Sequence, residues 1–280
     1  MKNDYSAGEV LQANLKIYEL TAKSYDAEQP HFSPENQELF SNTLRRLSEA
    51  AGSDVLVDMG CGTGFVTNLA AAIFEKVYGV DVSPHMLALV NTHDGKVNTV
   101  PATTDNVPIE SGIANVATSN SFLHHLFDYE STLREAYRLL KDGGVFYSEE
   151  DPNRLFWDHI KEIGQDSTKY SDIVKREIEN VKLEEFEMSQ FSDDKGLFEV
   201  LATSEYQKMI KGGMSMDVLT DVLTKIGFSK VKVEPYWYLG QASIMHGISF
   251  EASKTIEDYL LKVRPFSDHM FKYFRIEAWK

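Results

Sequence analysis

The segment that decides the fold reads Val55-Leu56-Val57-Asp58-Met59-Gly60-Cys61-Gly62-Thr63-Gly64. Its first three residues predict a short buried strand, and its glycines predict a sharp turn into a helix over 65–74. A helix that begins directly behind such a loop offers free N–H groups and the positive end of its dipole. The glycine spacing does not fit the Gly-x-Gly-x-x-Gly dinucleotide fingerprint, and no Gly-Lys-Ser/Thr phosphate loop follows. By itself the loop is compatible with nucleotide-binding folds of several kinds.

The second informative residue is Asp81, which ends a predicted strand over 76–80 and comes 17 residues after Gly64. An acidic side chain at this place can accept two hydrogen bonds from a ribose diol. Asp81 or Ser83 can instead cap the helix that begins at Pro84. The two roles are compatible, because Ser83 can cap the helix while Asp81 binds a ligand.

Strands and helices alternate from residue 55 to residue 148. The other predicted strands are 96–101, 114–119 and 145–148, and the other predicted helices are 84–90 and 129–140. This alternation predicts a parallel sheet with helices on both faces. It stops after Asp151 for about sixty residues of mostly polar helical pattern with scattered aromatic residues, and it resumes with a helix over 215–226 and a strand over 231–236.

These changes of pattern predict three parts. Residues 1–52 form N-terminal helices, one over 7–24 and one that Ser33 caps and Gly52 ends. Residues 53–151 and 213–280 form an α/β domain, and 152–212 form a helical cap inserted after strand five. We expect this cap to cover the ligand pocket. Its aromatic residues, with Tyr236, Trp237 and Tyr238, either wall an acceptor site or pack as core. The chain closes on a strand over 270–279, with 242–252 as the rival.

Composition excludes several classes of protein. The chain has 280 residues, 28 basic and 43 acidic, for a net charge of −15, and it is 42% hydrophobic. It therefore has the composition of an ordinary globular protein, and its acidity counts against binding to nucleic acid phosphates. Cys61 is the only cysteine, which rules out an intrachain disulfide or a cysteine-rich zinc site. With neither an apolar signal core nor a long apolar run, we expect a cytoplasmic protein without a membrane span.

Five motifs occur in a fixed order. They are Asp58-x-Gly60-x-Gly62-x-Gly64, Asp81-Val82-Ser83-x-x-Met86-Leu87, Val107-Pro108, Asn120-Ser121-x-Leu123-His124-His125 and Leu139-Leu140-Lys141-Asp142-Gly143-Gly144. Together they resemble the motifs of class I S-adenosylmethionine-dependent methyltransferases, most of all the ubiquinone/menaquinone-biosynthesis type and its small-molecule relatives. The resemblance covers about residues 25–150. It implies a Rossmann-like, mostly parallel sheet with an antiparallel last strand, and S-adenosyl-L-methionine as the cofactor.

The resemblance also implies roles for individual residues. The Asp58–Gly64 loop holds the methionine part of the cofactor, Asp81 binds the ribose and Met86 lies against the adenine. Where the family has an acidic residue near the adenine this chain has Thr103, so either Thr103 or Asp105 makes that contact. The full set of expected cofactor-binding residues is Tyr25, Asp58, Gly60, Gly62, Gly64, Asp81, Val82, Met86, Thr103, Thr104, Asp105, Asn120 and His125. Packing at a helix end is the alternative role of Tyr25.

Candidate catalytic residues follow strand four. His124 and His125 lie at the carboxyl end of the predicted sheet, and an unperturbed imidazole titrates near pH 6.5, which suits removal of a proton. A structural or cofactor-proximal role is the alternative for both. Glu149-Glu150-Asp151 follows strand five and can bind an amine, bind a metal ion or cap the next helix. We predict no metal site.

The predicted activity is methyl transfer to oxygen, nitrogen or carbon of a small-molecule acceptor. The cofactor is already activated, so the protein mainly has to position the nucleophile and exclude water. One rival is a member of the fold that does not methylate, such as a cyclase or another cofactor-bound enzyme. Another rival is a transfer RNA methyltransferase, which the negative charge and the lack of a basic stripe disfavour. The sequence does not indicate the acceptor or the oligomeric state.

Overall fold

The computed structural model describes residues 4–163, 169–179 and 195–280. Part of the predicted cap, including Phe186 and Phe191, lies outside the described residues. Those described form one sheet, and its order is β3-β2-β1-β4-β5-β7-β6. The strands are β1 Val55–Met59, β2 Lys76–Asp81, β3 Val97–Pro101, β4 Ala114–Asn120, β5 Leu140–Pro152, β6 Ser229–Tyr238 and β7 Phe271–Trp279.

Strands β1 to β5 are mutually parallel, whereas β7 runs antiparallel between β5 and β6. The predicted mostly parallel sheet with an antiparallel last strand is therefore confirmed. The chain extends the sheet from β1 to β3 in one direction and from β4 onwards in the other. Ligands of open α/β sheets bind at such a reversal, beside the carboxyl ends of the strands. The ends of β1, β2 and β4 meet there.

Helices cover both faces of the sheet. They are α1 Ala7–Thr21, α2 Tyr25–Glu28, α3 Pro34–Ala51, α4 Phe65–Ala70, α5 Pro84–Leu87, α6 Tyr129–Leu139, α7 Arg154–Ile163, α8 172–179, α9 Lys195–Ser204, α10 Met216–Ile226, α11 Gln241–Gly247 and α12 Phe250–Lys262. Ser33 caps α3 as predicted, and Gly52 ends that helix at a φ of 98°. Within the described ranges, no helix is both long and apolar enough to cross a membrane.

Alternate residues of the central strands face two separate cores. Val57 and Met59 of β1 pack with residues from α6 and α10, including Leu133 and Leu219. Leu56, one position away, packs on the other face with helices α3 and α4. All of these side chains are almost completely buried. This period of two is what a strand covered on both faces requires, and it holds the loop after β1 rigidly in place.

Several predicted boundaries were wrong. Helices α4 and α5 end at Ala70 and Leu87, three to four residues early, because the chain turns there to begin the next connection. Strand β5 is far longer than predicted, since Leu140 already pairs with Ala114 and β7 continues the pairing to Pro152. The rival last strand over 242–252 is helical, and Phe271–Trp279 is the last strand.

Candidate active site

A cavity of about 280 Å³ lies at the carboxyl ends of β1, β2 and β4. Its described walls come from the glycine loop, the ends of β2 and β4, the turn before α6, and α1. Of the residues expected to bind the cofactor, the following line it: Tyr25, Asp58, Gly60, Gly62, Asp81, Val82, Met86, Thr103, Thr104, Asp105, Asn120 and His125. Residues from five separate segments of the sequence thus share one cavity.

The glycine loop is attached to β2 by backbone hydrogen bonds. The N–H groups of Gly60 and Cys61 both donate to the carbonyl oxygen of Val80, at 2.8 and 3.0 Å. Gly60 has a φ of 80°, and a Cβ atom there would lie 2.2 Å from the Phe122 ring. Gly62 also has a positive φ, but a Cβ atom at this position would meet nothing within 4 Å. Gly60 is therefore required by packing inside the protein, whereas Gly62 borders open space in the cavity.

Gly64 differs from the other two motif glycines. It is not among the residues that line the cavity. Its φ of 104° turns the chain into α4, and a Cβ atom there would lie 2.8 Å from the Thr67 hydroxyl. Its place in the fold gives it a turn-forming role. Direct contact of Gly64 with a cofactor remains only a prediction.

Asp81 holds the glycine loop as well as bordering the cavity. One carboxylate oxygen accepts a hydrogen bond from the Gly62 N–H at 2.9 Å, and the other accepts from the Ser83 N–H at 2.8 Å. The Ser83 hydroxyl caps α5 by accepting from the Met86 N–H. The helix cap therefore belongs to Ser83, and ribose binding by Asp81 stays a prediction. Each oxygen of Asp81 has a further lone pair that remains available to a ligand hydroxyl.

Asp58 has an unsatisfied oxygen. The side chain is 1% exposed, and its Oδ1 accepts a hydrogen bond from the Thr118 hydroxyl at 3.0 Å. Its Oδ2 is buried and has no hydrogen-bond partner among the described residues. Burial raises the pKa of Asp58 to about 7, with a smaller contribution from Asp81. Because an unpartnered buried carboxylate oxygen is costly, this wall is suited to a cationic group, and the ammonium of S-adenosylmethionine fits it.

The opposite end of the cavity suits an adenine ring. Met86 is 1% exposed and lines the cavity, where its thioether can pack against an aromatic ring. Thr104 is buried, and its hydroxyl already pairs with the hydroxyl of Thr132 at 2.8 Å. Thr103 and the exposed Asp105 line the same region. Both alternatives for the adenine contact therefore remain open.

His125 lines the cavity and contacts Tyr18, a residue that sequence reasoning did not select. His125 Nδ1 lies 2.8 Å from the carbonyl oxygen of Ser204, and Nε2 lies 2.9 Å from the Tyr18 hydroxyl. A carbonyl only accepts hydrogen bonds, so Nδ1 carries the proton and Nε2 accepts from Tyr18. Burial, helped by His124, lowers the pKa of His125 to about 4. The ring is neutral at pH 7 and is a weak base.

His124 occupies a different position from its neighbour. It does not line the cavity. Its Nδ1 and its backbone N–H both interact with one carboxylate oxygen of Asp151, at 2.8 and 3.0 Å. Asp151 is completely buried at the end of β5. His124 therefore attaches the turn after β4 to the end of β5, which favours the structural alternative for this residue over catalysis.

Three side chains of types that bind metal ions lie together within the described part of the chain. They are His124, His125 and Glu205, and their ligand atoms lie within 4.8 Å of one another. Protein groups already surround them: Asp151 and Ser204 contact the two rings, and the Lys208 ammonium lies 3.5 Å from Glu205. These contacts pair the three side chains with protein groups, so the cluster does not require a metal ion to satisfy them. The absence of a metal site remains a prediction.

Asn120 and Glu150 form a pair at the ends of β4 and β5. The Asn120 amide donates to a carboxylate oxygen of Glu150 at 3.3 Å, while Asn120 Oδ1 is buried without a partner. Burial, together with the nearby Glu149, raises the pKa of Glu150 to about 8. Glu150 has a φ of 67° beside the bulge in β5. Glu150 stands in the acidic run Glu149–Asp151, whose role the sequence left open.

The covering wall of the cavity is α1. Ala7, Val10, Leu11, Asn14 and Tyr18 of this helix all line the cavity. No described residue of 152–212 lines it, so the described aromatic residues of this segment follow the core-packing alternative.

The described part of the predicted cap surrounds the site without lining the cavity, and its helix α9 packs against α1. Residues Phe156, Trp157, Ile160 and Ile178 of the cap form a separate core cluster. The segment contacts a cavity residue where the Ser204 carbonyl oxygen accepts a hydrogen bond from His125 Nδ1.

Residues 57–148, which contain the glycine loop and the ends of β2 and β4, match the family described as "Methyltransferase domain". This part of the chain is similar to methyltransferase domains. The recognition of an S-adenosylmethionine-dependent methyltransferase from the motifs is thereby confirmed, as is the predicted cofactor class of the domain. The match covers the cavity floor and excludes α1.

Curated relatives match less than half of the chain. A probable S-adenosylmethionine-dependent methyltransferase of Mycolicibacterium smegmatis is 30% identical over 40% of this chain and 42% of its own length. A ubiquinone biosynthesis O-methyltransferase of Pseudomonas putida is 28% identical over 49% of this chain and 62% of its own. The chain thus spans about half the length of the curated relatives it matches.

Solved structures extend the likeness to the whole fold. An S-adenosylmethionine-dependent methyltransferase from Archaeoglobus fulgidus superposes with a TM-score of 0.52 at 17% identity, over 94% of this chain and 100% of that one. A phosphoethanolamine N-methyltransferase 2 of Haemonchus contortus, in complex with S-adenosyl-L-methionine, gives 0.55 at 17% identity, over 93% and 56%. At these identities the likeness concerns the fold, which is the class I methyltransferase fold.

Proposed function

We propose that the chain is an S-adenosylmethionine-dependent methyltransferase that acts on a small-molecule acceptor by direct in-line transfer. The observation that carries the proposal is the cavity beside β1, β2 and β4. Motif residues from separate segments line it, and Asp58 leaves a buried oxygen there without a partner. This combination suits a ligand with a cationic end, a ribose and an aromatic base.

Each wall of the cavity would then have a distinct part. Asp58 would bind the ammonium, Asp81 the ribose hydroxyls and Met86 the adenine face. When bound, the cofactor supplies an activated methyl group. The residues near Tyr18, His125 and Asn120 would position the acceptor and exclude water, which contributes most of the rate enhancement when the methyl donor is already reactive.

The remaining parts of the proposal concern context. The acidic composition supports a small acceptor over a nucleic acid. The buried free Cys61 is compatible with a cytoplasmic protein. We also propose the division into N-terminal helices over 1–52, an α/β domain over 53–151 with 213–280, and a helical insertion over 152–212.

The test uses S-adenosylmethionine with a trideuterated methyl group. The full chain is incubated with this cofactor and a cell extract separated into metabolites and RNA, and both fractions are analysed by mass spectrometry. The proposal predicts a product of low molecular mass that gains the label and disappears when S-adenosylhomocysteine competes. Label in the RNA fraction would favour the transfer RNA methyltransferase. Tight cofactor binding without any labelled product would favour a member of the fold that does not methylate.

A further inference from the structure

The geometry points to a primary or secondary amine as the methyl acceptor, held by its N–H group against Asn14 and Tyr18 of α1. This inference rests on the proposed function and adds the class of acceptor. Both residues line the cavity, and they lie one helical turn apart on the same face of α1. Neither belongs to the motifs that bind the cofactor.

Asn14 has a fixed orientation and an unused acceptor. Its amide nitrogen donates to the carbonyl oxygens of Val10 and His125, at 2.9 and 3.0 Å. Two carbonyl partners require the nitrogen at that place, so the assignment of the amide is unambiguous. The residue is 8% exposed, and its Oδ1 has no hydrogen-bond partner among the described residues. A buried acceptor in this situation is costly unless a ligand supplies a donor.

Tyr18 is also an acceptor toward the cavity. Its hydroxyl proton is committed to His125 Nε2, because the Ser204 carbonyl keeps the imidazole proton on Nδ1. Only the lone pairs of the phenol oxygen then remain for a ligand. Burial raises the pKa of Tyr18 well above its usual value, so the hydroxyl stays neutral.

At the proposed acceptor position Asn14 and Tyr18 therefore offer hydrogen-bond acceptors, and Tyr25 and Ser121 add hydroxyl groups to the same lining. The described cavity lining contains no lysine or arginine, and Asn120 adds another unpartnered oxygen. A primary or secondary amine matches this wall, because it keeps an N–H donor while its lone pair faces the methyl group. An alcohol has a single proton, which it must lose on methylation, and the neutral His125 is a weak base for that purpose.

The amine gives its proton to water before it binds, and the chemical step itself then needs no further reactant. The nitrogen lone pair of the neutral amine forms the new N–C bond while the C–S bond of the sulfonium breaks, and the electron pair stays on sulfur. The product is a methylated ammonium ion, which gives its additional proton to water after release. Neither Tyr18 nor His125 has to act as a general base in this step.

The first test identifies the labelled atom. The low-mass product made from trideuteromethyl S-adenosylmethionine is isolated, and fragmentation and NMR show which atom carries the label. We expect an N-trideuteromethyl group. A label on oxygen, sulfur or carbon would overturn the inference and leave the proposed function intact. The absence of any labelled small molecule would overturn both.

The second test measures binding without turnover. The unlabelled amine identified in the first test is titrated into the S-adenosylhomocysteine complex of Asn14→Leu, Tyr18→Phe and, as a matched control, Asn42→Leu, which changes an exposed asparagine on α3. We expect each α1 variant to bind the amine at least tenfold more weakly, with the affinity for S-adenosylhomocysteine within about threefold of wild type.

The control is expected to bind like wild type. If Asn14→Leu does not fold, the nearly isosteric Tyr18→Phe still decides the result. Amine affinities equal to that of the control in the folded variants would overturn the inference.

Discussion

Asp81 combines two functions in one carboxylate, because it fixes the glycine loop through Gly62 and borders the proposed ribose site. The sequence predicted the position of Asp81 at the end of a strand and a helix cap at either Asp81 or Ser83. It did not predict the loop contact, which depends on how β1 and β2 pair. Tyr18 and Asn14 were missed for a similar reason: they belong to an amphipathic helix without a motif, and only the tertiary structure brings them to the cavity.

Asp58 gives a prediction about protons. Its pKa is about 7 before a ligand binds, and a nearby ammonium must lower it. Binding of S-adenosylmethionine near pH 6.5 should therefore release a proton, and the affinity should rise between about pH 5 and 7. His31 and His125 have pKa values of about 4 and remain neutral in most of this range.

Calorimetry in two buffers with different ionisation enthalpies measures the released proton directly. Asp58→Asn removes the titrating group and serves as the control, in which the release should vanish. Equal proton release by the wild type and this variant would place the titrating group elsewhere.

At the scale of elements, the alternation of strands and helices was predictable from 55–148, because each buried strand is short and apolar. The ends of elements were less predictable. β5 runs through Gly143 and Gly144, two residues that disfavour a strand, and backbone hydrogen bonds to Lys280 hold both of them. The pairing of β5 with β7 extends β5 to Pro152. Because β7 is far away in the sequence, no local pattern predicts this extension.

The glycine loop gives the second prediction. Gly60→Ala places a methyl group against the Phe122 ring and keeps a positive φ, whereas Gly62→Ala meets no neighbour. The backbone strain alone is worth about 1–2 kcal/mol for either variant. We expect Gly60→Ala to lower the free energy of unfolding clearly further than Gly62→Ala in urea titrations. Equal losses would show that Phe122 moves aside at no cost.

The end of β5 gives the third prediction. The folded-state pKa of Glu150 is raised from its ordinary value of 4.5 to about 8, so the folded protein binds more protons than the unfolded chain between these values. The wild-type free energy of unfolding therefore loses this contribution as pH rises. Glu150→Gln lacks this pH-dependent contribution. The free energy of unfolding of the variant should therefore rise relative to that of the wild type by up to about 1.4 kcal/mol per pH unit, from about pH 4.5 to 8.

Urea titrations across this range measure the difference. Glu110→Gln, which changes an exposed glutamate, is the matched control and should follow the wild type. A constant difference between Glu150→Gln and wild type at every pH would show that Glu150 is ionised throughout.

For the whole molecule, the fold and the motif-lined floor of the cavity followed from the sequence, but its cover did not. The interrupted pattern after Asp151 indicated an inserted segment, and its position suggested a lid. In the described structure α1 lines the cavity, while described residues of the inserted segment pack against α1 and against the turn that carries His125. Both α1 and the inserted segment have the hydrophobic periodicity of amphipathic helices. Long-range packing decides which of the two covers the cavity, and the sequence pattern does not show it.

The most direct test of the account is the affinity of the full chain for S-adenosylmethionine, measured by titration calorimetry on three proteins. They are the wild type, Asp81→Ala, and the control Asp142→Ala, which removes an exposed carboxylate near the amino end of β5. We predict one molecule bound per chain, an unchanged affinity for the control, and a loss of about 1–3 kcal/mol for Asp81→Ala, or about 5- to 150-fold. Thermal unfolding of each protein confirms that it is folded. An unchanged affinity in folded Asp81→Ala, or no binding by the wild type, would contradict the assignment of this cavity.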